Sequence, residues 1–249
     1  VPLRPGSFRP DFDALAAALT PRTRAILVNT PHNPSASTWS AAEMQRLAEL
    51  LRPTDVIVIA DEVYEHMVFD GVPHESVARN PELAARSVVV SSFGKTFHVT
   101  GWKVGYATAP APLTAEFRKV HQFNVFTVNT PVQHALAAYL ADPAPYLGLP
   151  AFYAAKRDRF RAGLAATRLQ LLPSTGSYFQ CVDYAALPAH RDRSELEFCR
   201  WLTTEVGVAA IPLSAFYAAG FEQRIVRFCF AKREATLDAA LQRLRQRLA

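Results

Sequence analysis

Three short runs of apolar, mostly β-branched residues constrain the fold more than anything else in the sequence: Ala25-Ile-Leu-Val-Asn29, Val56-Ile-Val-Ile-Ala60 and Ser87-Val-Val-Val-Ser91. Runs without polar alternation are the pattern of parallel strands covered on both faces, since a half-solvated strand alternates. The stretches between them carry helical punctuation. Asp11 to Leu19 has helical spacing, and Ser40 with Glu43 forms a capping box ahead of Met44, Leu47 and Leu51, with Pro53 ending that helix. Val104 to Thr108 reads as a fourth strand. Strands alternating with helices predict an α/β fold built on a mostly parallel sheet.

The pattern changes after about residue 140. Asp142-Pro-Ala-Pro145 precedes a helical stretch reaching about Thr167, followed by strands at Ser177 to Val182, Val208 to Ile211 and Ile225 to Phe230. A helix capped by Ser194 and Glu197 lies between the first two of these strands, and a last helix starts at Glu234. Two parts are expected: residues 1–141 as an α/β domain, and 142–249 as a connecting helix with a small α+β domain. No internal repeat interrupts this division.

Several classes are disfavoured by composition. The longest aliphatic run, Val56 to Ala60, is far shorter than the roughly 18 residues of a membrane span, so no membrane partner is expected. Three cysteines, Cys181, Cys199 and Cys229, are too widely spaced for a CxxC motif, which points to a reducing, cytoplasmic setting. The net charge of +5 is scattered over helical stretches rather than gathered into a stripe, so no nucleic-acid partner is expected. His32, His66 and His98 have no metal-site spacing and are read as loop residues, and no metal is expected.

Polar residues follow the carboxyl ends of successive strands: Asn33 after the first, Asp61 and Tyr64 after the second, Ser92 and Lys95 after the third. Open α/β sheets bind ligands at that edge. Asp61 ends five apolar residues, so its carboxylate calls for a cationic partner. Of the five lysines, Lys119, Lys156 and Lys232 fall on helical stretches, whereas Lys95 follows a strand with Lys103 nearby. An amine so placed suits Schiff-base chemistry, though it also suits a surface lysine closing a loop. Asp61 equally reads as a helix N-cap, Ser92 and Asn33 as turn residues, and Arg227 as an edge-strand residue. Phe97 and Trp102 are expected in the core, while Phe216 and Tyr217 are candidates for an apolar pocket wall.

Taken together, Asn33-Pro34, Asp61-Glu-Val-Tyr64, Ser92-Phe-Gly-Lys95, Gly101-Trp-Lys-Val-Gly105 and Arg227-Phe-Cys-Phe-Ala-Lys232 resemble the class I/II aminotransferases, of fold type I, that depend on pyridoxal 5′-phosphate (PLP). Within them, the methionine and kynurenine/glutamine aminotransferase branch is the most similar. The resemblance implies that Lys95 holds the cofactor and moves the substrate proton, and that Asp61 keeps the cofactor ring nitrogen protonated. Tyr64 and Asn33 are implied to bond its phenolic oxygen, and Ser92 and Lys103 its phosphate. Arg227, with Asn33, is implied to bind the substrate carboxylate.

Transamination between an apolar or aromatic L-amino acid, methionine-like, and a 2-oxo acid is the expected activity. A carbon–sulfur β-lyase, or an aminotransferase-like effector domain of a transcription regulator, are the alternatives. The family's upstream phosphate loop, ring-stacking aromatic and much of its homodimer contact have no counterpart in these residues. The large domain is therefore expected to be N-terminally incomplete and the chain alone a poor catalyst.

Overall fold

β-branched side chains lose little χ1 freedom in extended backbone and pack well across a pleated surface, and the three apolar runs do form adjacent strands. The computed structural model describes residues 1–218 and 221–249. Among these, two compact units form: one from Val1, Asp11–Pro31 and Thr38–Pro150, the other from Pro2–Pro10, His32–Ser37 and Ala151–Ala249.

In the first unit, α1 (Phe12–Ala18) leads to β1 (Ala25–Asn29), α2 (Ala41–Leu51) to β2 (Ile57–Asp61), and α3 (Pro81–Ala84) to β3 (Ser87–Ser92). The short α4 (Phe93–Thr96) then precedes β4 (Gly105–Thr108), α5 (Ala111–Asn124), α6 (Thr130–Tyr139) and α7 (Ala144–Leu147). The sheet order is β1-β2-β3-β4, with the first three strands parallel and β4 antiparallel. Registers Asn29↔Asp61 and Asp61↔Val90 align the carboxyl ends of the parallel strands. Met44, Leu47 and Leu51 of α2 bury against Val28, Val58 and Ala60, with Phe12, Trp39 and Leu83 completing the core. The Ser40–Glu43 capping box is present.

The expectation of strands covered on both faces holds for one face only. Alternation along each strand turns Leu27, Ile59 and Val90 away from α2, and among the described residues Leu27 stays 69% exposed. Helix α5 buries no residue.

Helix α8 (Leu149–Leu164) carries the chain into the second unit, which contains β5 (Gln170–Leu171), β6 (Phe179–Asp183), α9 (Glu195–Trp201), β7 (Ile211–Pro212), β8 (Ile225–Cys229) and α10 (Glu234–Leu248). These strands form an antiparallel sheet ordered β5-β6-β8-β7. Leu237, Leu241, Leu244 and Leu248 are the buried stripe of α10. Gly163 lets α8 meet that stripe, since a Cβ there would lie 2.3 Å from Leu241 Cδ1. The predicted strand at Val208 to Ile211 shrinks to two residues starting at Ile211. Gly207 turns in the left-handed region before it, and Pro212 has no N–H to extend the ladder.

Candidate active site

Asp61 is the last residue of β2, where its backbone is held from the neighbouring strand. Its carbonyl accepts from Thr30 N (3.1 Å) and Asn29 Nδ2 (2.8 Å). Its Oδ1 accepts from Val63 N at 3.2 Å, closing a turn rather than capping a helix. Tyr64, in that turn, is buried. The next residue, Glu62, is also buried and anchors the following loop: its carboxylate accepts from Ser76 Oγ (3.1 Å) and Val77 N (3.0 Å) and lies 2.8 Å from His74 Nε2. Sequence reasoning saw Glu62 only as part of a motif.

At the end of β3, Ser92 caps α4. Its Oγ accepts from Gly94 N at 3.0 Å and donates to Val104 O at 3.4 Å. Gly94 is required by space, because a Cβ would lie 2.9 Å from Thr100 Cα. That close approach folds the Thr100–Trp102 turn back over α4, with Thr100 Oγ1 donating to Gly94 O at 3.0 Å. Lys95 is half-buried in α4, and Lys103 leaves the turn exposed, in the left-handed region. Ser91 and Tyr106 both donate to Glu65 Oε1, a tie between β3, β4 and the turn after β2. Burial, with that hydrogen bond, pushes Tyr106 up to about 12.

Five of the sequence-selected residues, Asp61, Tyr64, Ser92, Lys95 and Lys103, therefore collect at or just beyond the carboxyl ends of β2 and β3. The expected core placement of Trp102 is not met; it is 48% exposed, since the turn that carries it projects outward. Phe97 does pack, against Phe93 and Tyr139.

Asn33 and Arg227 lie in the other unit, and there they meet. Arg227, in β8 between Cys181 of β6 and Ile211 of β7, donates through Nη1 to Asn33 Oδ1 at 2.5 Å. Its guanidinium lies 4.1 Å from the Phe179 ring centroid and 5.4 Å from that of Phe216. Its Nε is buried without a hydrogen-bond partner among the described residues. The His32–Ser37 segment is pinned to this unit through Pro34 O, which accepts from Cys181 Sγ, and Ala36 O, which accepts from Thr175 N and Gly176 N. His32 bonds Ser35 Oγ at 2.7 Å, and burial holds its imidazole down at about 4. Tyr217 packs on Phe221. The rest of the loop named with Phe216 and Tyr217, residues 219–220, lies outside the described residues.

The family model for class I and II aminotransferases matches residues 1–244. The chain belongs to that family. It is 53% identical to the methionine aminotransferase of Escherichia coli over 98% of its own length and 63% of that relative's. It is 43% identical to a probable N-succinyldiaminopimelate aminotransferase of Mycobacterium tuberculosis, again over 98% of the chain and 64% of the relative. It thus spans a little under two thirds of these relatives. The solved E. coli structure with methionine aminotransferase function superposes with a TM-score of 0.94 at 53% identity, covering 98% of this chain and 64% of that one. The corresponding M. tuberculosis structure gives 0.93 at 41%, covering 99% and 64%. The fold is that of the type I PLP-dependent aminotransferases, and the family's members use PLP.

The side chains suit that cofactor. Asp61, Lys95 and Lys103 are a carboxylate and two ammonium groups at one sheet edge, and none has an ion-pair partner among the described residues. A group with a cationic ring nitrogen, an aldehyde and an anionic phosphate complements all three.

Proposed function

We propose that this chain is the greater part of a PLP-dependent aminotransferase acting on an apolar or aromatic L-amino acid, methionine first, and a 2-oxo acid. Residues 1–141 are then proposed as the cofactor-binding large domain and 142–249 as the connecting helix and small domain, with Pro2–Pro10 and His32–Ser37 packing in the second compact unit and residues 142–150 in the first. The observation that carries the reading is the set of three charges without an ion-pair partner among the described residues, Asp61, Lys95 and Lys103, at the carboxyl edge of the parallel strands. The sequence similarity to the E. coli methionine aminotransferase supports the choice of substrate.

When bound, PLP supplies an electron-withdrawing ring that accepts the electron pair left at the substrate α-carbon on proton loss. Lys95 Nζ would anchor the cofactor and serve as the base and acid that takes and returns the substrate α-proton. The Asp61 carboxylate keeps the ring nitrogen protonated, with its aim set by the fixed backbone of β2. Ser92 Oγ and Lys103 Nζ would hold the phosphate, and Tyr64 and Asn33 would bond the phenolic oxygen. Arg227 binds the α-carboxylate, and Asn33 Oδ1 also fixes the orientation of its guanidinium. The apolar rings of Phe179 and Phe216 beside that arginine suit a methionine-like side chain.

Three free thiols suit a cytoplasmic location, and among the described residues no helix is long and apolar enough to cross a membrane. The natural protein is proposed to be a homodimer. Incubating it with L-methionine and a 2-oxo acid tests the reading: equal amounts of the oxo form of methionine and of a new amino acid are expected. Ammonia, a thiol and pyruvate from a cysteine thioether, without amino transfer, would make it a β-lyase. Cofactor binding without turnover would make it a sensor domain.

A further inference from the structure

Glu195 is fully buried and takes no part in the proposed cofactor or substrate contacts. It sits in the first turn of α9 and makes no salt bridge among the described residues. Its carboxylate is satisfied by backbone alone. Oε2 accepts from Ser214 N at 2.5 Å, and Oε1 accepts from Gln223 N at 2.8 Å and Ile225 N at 3.0 Å. A carboxylate is acceptor-only at both oxygens, so it can meet three N–H donors arriving from two sides. A glutamine of the same shape would turn an NH2 toward one of those donors and leave it unbonded in the interior.

The two sides of this clamp have functional neighbours. Ser214 stands two residues before Phe216, whose ring faces the Arg227 guanidinium, and Ile225 stands two residues before Arg227 itself in β8. Leu213 and Ile225 bury in one small cluster with Phe8, Leu172 and Cys181, and Tyr217 packs against it. Glu195 thus ties the residue carrying the ring to the strand carrying the arginine.

We propose that Glu195 is a positioning residue for side-chain selection: by joining Ser214 to Gln223 and Ile225, it holds Phe216 beside Arg227 as an apolar wall next to the carboxylate-binding group. This rests on the reading of Arg227 as the carboxylate ligand. Losing the clamp then weakens ligands with a long apolar side chain and spares those with none.

The test uses binding to the natural protein, with hexanoate as a methionine-shaped carboxylate and acetate as a carboxylate without a side chain, both followed by calorimetry. Arg227→Lys should weaken both; no change in either would overturn the arginine reading. Glu195→Gln should weaken hexanoate about tenfold, as for one buried donor left unbonded, with acetate unchanged. Hydrogen exchange at Ser214, Gln223 and Ile225 should speed up while Phe228 stays protected. Faster exchange with an unchanged hexanoate-to-acetate ratio would overturn the proposal, leaving Glu195 a structural residue. If Glu195→Gln does not fold, Glu195→Asp and Phe216→Ala serve instead. Phe216→Ala should give the same loss of preference, with Glu195→Asp adding nothing to it, and a preference retained in Phe216→Ala contradicts the assignment equally.

Discussion

Arg227 Nη1 donates to Asn33 Oδ1 across 194 residues of sequence, within one compact unit. The contact fixes the plane of the guanidinium by one edge, and the Phe179 ring covers its face. A planar fork held in this way presents its remaining N–H groups in a set direction, which a flexible ammonium cannot reproduce.

Arg227→Lys should therefore raise KM for amino acids by roughly ten- to hundredfold, the scale of one lost charge-assisted fork. A simple amine lacking the α-carboxylate should react as before. Steady-state kinetics on methionine and on such an amine give the comparison, and equal losses for both would assign Arg227 a structural role.

Asp61→Asn should leave the protein able to take up PLP but lower kcat by about a hundredfold or more, because an amide cannot keep the ring nitrogen protonated. The loss should appear in kcat and kcat/KM together, as for an interaction realised mainly in the transition state. A near-normal kcat would remove Asp61 from the mechanism.

His32 makes a pH-dependent contribution to stability. Its imidazole is held at about 4 in the folded chain against 6.5 as the reference value, so the unfolded chain binds the extra proton between those limits. Folding stability should then fall as pH drops from about 6.5 to about 4, by up to about 3 kcal/mol, and feel no effect of this group above that window. His32→Gln, which does not titrate, should flatten this part of the curve in urea unfolding experiments. Superimposable acid curves for the two proteins would refute the assignment.

The α5 region should make the 249-residue chain self-associate when produced alone. Phe123 at the end of α5 and Phe126 just beyond it are 85% and 80% exposed, far more than phenylalanine normally shows on a surface in water. Changing both to Lys should shift sedimentation profiles toward monomer. An already monomeric parent chain would show that this surface is tolerated in water.

Much of the architecture is legible because local chemistry specifies it. The run at Ala25 ends on Asn29 where the strand does, and the Ser40–Glu43 and Ser194–Glu197 capping boxes mark helices that form. The strand at Val56 shifts to Ile57–Asp61 because its neighbours set the ladder, with Asp61 pairing Asn29 and Val90. The placement of Asp61, Ser92 and Lys95 is legible since each stands at or just past the end of a recognisable strand. The Asn33–Arg227 contact is not, because no local pattern links positions so distant. Nor are Glu62 and Glu195: an acidic residue after a strand or in a first helical turn reads as solvated, and only tertiary structure brings the backbone donors that bury it.

The central claim, that Lys95 is the residue holding PLP, is tested most directly by borohydride reduction of the natural protein loaded with PLP, followed by peptide mapping. Reduction makes the link between cofactor and amine permanent. The pyridoxyl group should be found on Lys95, in the peptide that contains Ser92 and Gly94. Finding it on Lys103, on any other lysine, or on none would contradict the account.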